Sequence, residues 1–78
     1  MDAQNLIEMA NRIGEFFESM PDHDEALAGI ADHIRCFWEP RMRRALLAVL
    51  DTSNKEALCQ IMREALAGHR AELTPAQA

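Results

Sequence analysis

The chain has no tyrosine, one tryptophan, three phenylalanines, three glycines and two cysteines in 78 residues. Each shortage closes a class of reading. Two cysteines do not make the disulfide framework of a small secreted scaffold. No Cys-x-x-Cys pair or His-Glu-x-x-His run is present, and a closed zinc site wants four ligands at set spacings. There is no glycine-rich phosphate loop. No apolar run approaches the roughly 20 residues of a membrane-spanning helix. The start, Met1-Asp2-Ala3-Gln4, lacks the basic character of a secretory signal. Cys36 and Cys59 are therefore expected as free thiols of a cytoplasmic protein. Positive charge is short as well: eight Lys and Arg stand against 13 Asp and Glu, a net charge of -5. Phosphate contact needs a positive field, so an acidic chain is a poor general ligand for nucleic acid.

What the chain does carry is helical periodicity. Leu6, Met9, Ala10, Ile13, Phe16, Phe17 and Met20 recur at three- and four-residue steps and share one face. Asn5 is placed to cap this helix, with Glu8 completing a capping box. Gly14 inside it marks either a close approach of another backbone or a tolerated surface position. Met20-Pro21 ends the helix. Asp22 with Glu25 starts a second, whose stripe is Leu27, Ile30, Ala31, Ile34, Phe37 and Trp38. Pro40 interrupts that stripe and suits the first position of a third helix over Arg41 to Leu50. Its inward set is Met42, Ala45, Leu46, Val49 and Leu50. Residues 51–54 connect to a last helix, expected from about Asn54 to Ala67. There Leu58, Ile61, Met62, Ala65 and Leu66 face inward, and Gly68 is the stop. The reading is all-α: one domain over residues 1–78, a bundle of three to four short helices. Its ordered core runs from about 5 to 68, followed by a frayed C-terminal tail. In so short a chain, burial returns about what ordering costs, roughly 1.5 kcal/mol per residue. A stabilising partner is expected.

Candidate chemistry is thin. His33 and Cys36 are three apart on one helix, but Asp32 points elsewhere and no fourth ligand follows. The same pair lacks the orienting third group of a cysteine nucleophile. Asp22, Asp24 and Glu25 are explained by capping and by the positive helix start. His23 and His69 read as a first-turn and a last-turn residue. No catalytic, cofactor-binding or metal residue is assigned.

The segment Phe37-Trp38-Glu39-Pro40-Arg41-Met42-Arg43-Arg44 is different. It joins aromatic area to guanidinium groups at a forced change of direction. The net charge also changes sign there: residues 1–39 carry nine acidic and two basic groups, residues 40–78 four and six. Trp and Arg are enriched as interface anchors. Trp38, Arg41, Arg43 and Arg44 are therefore the candidate protein interface, with Phe17 as a further candidate. The doublets Phe16-Phe17 and Phe37-Trp38 exceed what one seam needs, so at least one aromatic is available to a partner. The competing view makes Trp38 core and the arginines solvated. A small helical nucleic-acid-binding regulator is the alternative class. Against it, the arginines are not followed by Asn, Gln or Ser suited to base edges.

Several blocks together resemble the delta subunit of soluble NAD-dependent formate dehydrogenases. They are Met9-Ala10-Asn11-Arg12-Ile13-Gly14-Glu15-Phe16-Phe17, Met20-Pro21, Gly29-Ile30-Ala31-Asp32-His33-Ile34 and Phe37-Trp38-Glu39-Pro40-Arg41-Met42-Arg43. The resemblance spans about Leu6 to Val49. The family pattern usually has Asp before the proline, where this chain has Glu39. The resemblance implies a non-catalytic accessory subunit with no cofactor of its own. It would bind the large alpha subunit and support assembly or stability of the enzyme that oxidises formate to carbon dioxide. The alpha subunit would hold a bis-pterin molybdenum or tungsten cofactor and iron–sulfur clusters. Beta and gamma subunits would carry FMN and further clusters to NAD. No nucleic acid or membrane partner is implied.

Overall fold

The computed structural model describes residues 2–76. It comprises α1 (Ala3–Glu18), α2 (His23–Phe37), α3 (Pro40–Val49), a 3-10 turn (Ser53–Ala57), α4 (Gln60–Gly68) and α5 (Arg70–Leu73). There is no strand among the described residues. The all-α reading holds, as a small bundle of four helices and a short fifth.

Local chemistry sets most boundaries. Asp2, not Asn5, caps α1: its carboxylate accepts the Gln4 N–H at 3.1 Å, so the helix begins a turn earlier than expected. Asp22 caps α2 as expected, accepting the Glu25 N–H at 3.2 Å. Asp24 and Glu25 lie at the positive end of α2 and Arg35 at its negative end, both favourable to the helix dipole. Pro40 occupies the start of α3, and Glu39 precedes it without a side-chain cap.

One core joins the elements: Leu6, Ile7 and Ala10 from α1; Ala26, Ile30, Ala31 and Ile34 from α2; Leu46, Leu47 and Val49 from α3; Leu58, Ile61, Met62, Ala65 and Leu66 around α4. The Phe37-Trp38 doublet resolves against expectation. The backbone turns extended at Trp38 (φ −97°, ψ 134°) while its N–H still donates to Ile34 O at 2.9 Å. The indole thereby enters the core, 6% exposed, and Phe37 is left 75% exposed. Trp38 therefore does not present an exposed anchor.

The expected continuous helix from Asn54 to Ala67 is broken instead. Thr52 caps the 3-10 turn, and Leu58 and Cys59 are extended before α4 begins. The cause is tertiary. The Asn11 side-chain amide donates to Ala57 O at 2.9 Å and accepts the Cys59 N–H at 2.8 Å. These bonds satisfy backbone groups on both sides of Leu58, whose side chain drops into the core. Gly14, one turn further along α1, faces the same place. A Cβ there would stand 2.6 Å from Cys59 Sγ and 3.3 Å from Ile61 Cγ2. Gly14 is a close-approach position and not a surface one, although what it meets is the side chains of Cys59 and Ile61 and not another backbone.

The chain also stays packed beyond Gly68. Leu73 of α5 is fully buried and Pro75 is buried too, so the fraying expected from His69 does not occur there. The last two residues of the expected tail, Gln77 and Ala78, lie outside the described residues. Arg70 of α5 holds Asp51 through two bonds of 3.1 and 2.7 Å, tying the end of the chain to the end of α3. The Arg70 guanidinium keeps the Asp51 carboxyl below its usual range.

Two outcomes test this packing. Asn11→Ala removes both bonds and strands the part-buried Cys59 N–H; a loss of about 1–3 kcal/mol is expected. Asn11→Asp keeps the acceptor for the Cys59 N–H but sets a carboxylate oxygen against Ala57 O, so it should be destabilising as well. Chemical denaturation measures both, and an unchanged midpoint for Asn11→Ala would contradict the clamp. The second concerns His23 at the start of α2, whose Nε2 lies 2.5 Å from the Glu64 carboxylate of α4. That hydrogen bond raises the His23 pKa above 6.5 and lowers that of Glu64 below 4.5. The histidine contribution is full below 6.5 and fades as pH rises through the raised value. The glutamate contribution is present above 4.5 and fades as pH falls through the lowered one. His23→Ala should therefore reduce Tm more near about pH 6 than near about pH 9; a pH-independent difference would count against the pair.

Candidate interaction surface

Two surfaces on opposite sides of Trp38 in the sequence stand out. The first is the start of α3. Arg41 and Arg44 are exposed and Arg43 is half-buried. Arg43 Nε is buried without a hydrogen-bond partner. Among the described residues, none of the three forms a salt bridge. The first turn of a helix favours carboxylates and disfavours cations, by roughly 0.3–1 kcal/mol per charge. α3 has no acidic residue in that turn. Arg44 also borders an open hollow of about 280 Å³ shared with Leu47, Asp51, Arg70 and Pro75. Asp51 in that hollow is already held by Arg70.

The second surface is the outer seam between α1 and α2. Arg12, Ile13, Phe16, Phe17 and His33 line an open apolar groove of about 330 Å³. The Phe16 and Phe17 rings meet edge to face, with centroids 5.2 Å apart and planes at 86°. Phe17 is half-buried and lies over Gly29, where a Cβ would stand 2.6 Å from its ring. The missing side chain at Gly29 thus lets one ring bed down while its neighbour stands out, with Phe16 74% exposed. On α2, His33 lies beside Phe37, ring centroids 4.9 Å apart, which continues the aromatic surface one turn along. Met9 extends the α1 row by another turn and is also exposed.

The candidate interface residues are therefore dispersed. Arg41, Arg43 and Arg44 share the start of α3, Phe17 belongs to the α1/α2 groove, and Trp38 is in the core between the elements. Phe16 and Phe37 are the aromatics that the surface presents. Their signal was available in the doublets: adjacent helical residues point about 100° apart, so both members reach one core only at a helix end.

The histidine and cysteine candidates do not converge on a centre. Asp32 bonds Arg35 at 2.7 Å, Cys36 Sγ lies 3.9 Å from the same carboxylate oxygen, and His33 turns to Phe37. Among the described residues, no group of three or more His, Cys, Asp or Glu side chains is placed to hold a metal ion. No helix among them is long and apolar enough to cross a membrane.

A family model described as NADH-dependant formate dehydrogenase delta subunit FdsD matches residues 5–66. No curated protein and no solved structure gives a significant match. The matched span runs from α1 through the 3-10 turn and most of α4. It includes the Asn11 clamp, Gly14, the buried Trp38, the arginines of α3 and the α1/α2 groove. The chain belongs to the FdsD family of formate dehydrogenase delta subunits.

Proposed function

We propose that this chain is a non-catalytic accessory subunit of an NAD-dependent formate dehydrogenase. It binds the large catalytic alpha subunit and supports assembly or stability of the cytoplasmic holoenzyme that oxidises formate to carbon dioxide. Family membership over residues 5–66 is the observation that carries this reading. The surface chemistry agrees with it. Large aromatic rings lie open to solvent, while the histidines, cysteines and carboxylates are dispersed or engaged in local pairs. Such a chain acts by contact. In this reading the bis-pterin molybdenum or tungsten cofactor, the iron–sulfur clusters, FMN and the NAD site belong to the partner subunits.

The start of α3 is one proposed contact. Arg41 and Arg43 sit in the first turn of α3, where the helix dipole disfavours cations, with Arg44 just beyond it, and among the described residues none of the three forms a salt bridge. A partner carboxylate would relieve that conflict through bidentate pairing. Trp38 supports this contact from beneath by fixing the α2/α3 corner.

Capture of the alpha subunit by tagged chain from cells assembling the complex tests the function. The wild-type chain should retain the alpha subunit and ignore duplex DNA and RNA. Binding to nucleic acid with a steep salt dependence, and no capture, would favour a regulator instead. Arg41→Glu with Arg44→Glu should leave the helical circular dichroism intact, since both residues are exposed. Capture should weaken by about tenfold or more. Undiminished capture would remove the start of α3 from the interface.

A further inference from the structure

The seam between α1 and α2 has a form that the start of α3 does not. Met9, Ile13 and Phe16 follow each other at four- and three-residue steps along α1. His33 and Phe37 make a parallel row on α2. Between the rows lies the groove, lined by Arg12, Ile13, Phe16, Phe17 and His33. From Met9 to Phe16 the α1 row runs about 10 Å, roughly two turns of an incoming helix. The described residues offer no open strand edge for an extended peptide to join. Two parallel ridges with a trough between them suit a third helix.

The rim shows what that helix must carry. Arg12 lines the groove and makes no salt bridge among the described residues, although Glu8 and Glu15 lie on the same helix. On the α2 side, Asp32 is occupied by Arg35 at 2.7 Å. The open electrostatic position is therefore a cation beside apolar surface, which calls for a carboxylate flanking an apolar stripe.

A second copy of this chain is a poor occupant. Two chains of net charge -5 repel. Phe16 and Phe37 leave roughly 300 Å² of ring surface exposed. A stable dimer needs about 800 Å² per partner, and obligate dimers use larger, more apolar faces. The patch has the size of an anchor within a wider contact with another protein.

We infer that the α1/α2 groove receives an amphipathic helix of the alpha subunit, its apolar stripe against Phe16, Phe17 and Phe37 and a carboxylate opposite Arg12. This rests on the chain being an adaptor of that subunit and assigns it a second contact, separate from the arginines of α3. Phe16 and Phe37 anchor the helix, and Arg12 sets its register.

The test uses the assembled complex. Photoactivatable p-benzoylphenylalanine replaces Phe37, and the irradiated complex is digested and sequenced by mass spectrometry. The cross-link is expected in an alpha-subunit segment of helical apolar periodicity with an Asp or Glu within one turn. In parallel, Phe16→Ser with Phe37→Ser should weaken capture by about 30-fold, with circular dichroism unchanged. Arg12→Glu should weaken it by about tenfold, and an Asp or Glu to Arg exchange at the cross-linked segment should restore it. A cross-link to a second copy of this chain overturns the proposal. So does a complex that forms without any cross-link and tolerates the double serine variant; the adaptor function would survive that result. If the wild-type chain captures no alpha subunit, the adaptor function and the groove assignment fall together.

Discussion

The side-chain amide of Asn11 holds the backbone on both sides of Leu58, and the rest of the bundle depends on that grip. Ala57 O and the Cys59 N–H would otherwise be drawn into a continuous helix. Held by Asn11, the chain drops Leu58 into the core and restarts as α4 in a new direction. Gly14 makes the restart possible, because any side chain there would meet Cys59 and Ile61. α4 then closes the inner face of α1 and α2 with Ile61, Met62, Ala65 and Leu66. His23 and Glu64 latch the same two layers at the surface. With α4 on the inner face, no other described element covers the outer seam of α1 and α2.

That division gives the exposed side chains their meaning. A small chain can bury only so much, and most of its large apolar residues go to closing one core. Phe16 and Phe37 stand outside that closure, yet both are large rings at regular helical positions. Their contacts are with neighbouring rings of the surface, Phe16 with Phe17 and Phe37 with His33. The arginines at the start of α3 present the electrostatic counterpart, cations at a positive helix end that form no salt bridge among the described residues. Departures from local rules that the fold does not use point to contacts made elsewhere. For a member of the formate dehydrogenase delta subunit family, another subunit of the enzyme is the natural place to look.

The all-α class, the breaks at Pro21 and Pro40, the Asp22 cap and the inward set of α4 were legible because local chemistry and global packing agree there. The break before α4 was not. The apolar spacing reads as one helix from about Asn54, and only the distant Asn11 amide shows that the backbone is taken elsewhere. The placement of Trp38 escaped for a related reason. Periodicity treats it as the next residue of α2, whereas its extended backbone turns the indole inward. Leu73 gave too little pattern on its own to show that the segment after Gly68 returns to the core. Of the candidate surface, the arginines were readable from charge and Phe17 from the doublet. The groove was not, because it needs two helices in register and the missing side chain at Gly29.

The central division is Trp38 inside the fold against Phe16 and Phe37 on its surface, where we propose that a partner covers them. Hydroxyl-radical footprinting with mass spectrometry, on the free chain and on the assembled formate dehydrogenase complex, measures it directly. Trp38 should be protected in both states. Phe16, Phe37 and Met9 should be oxidised in the free chain and protected in the complex. Equal oxidation of Phe16 and Phe37 in both states, or oxidation of Trp38 that disappears only on assembly, would contradict it.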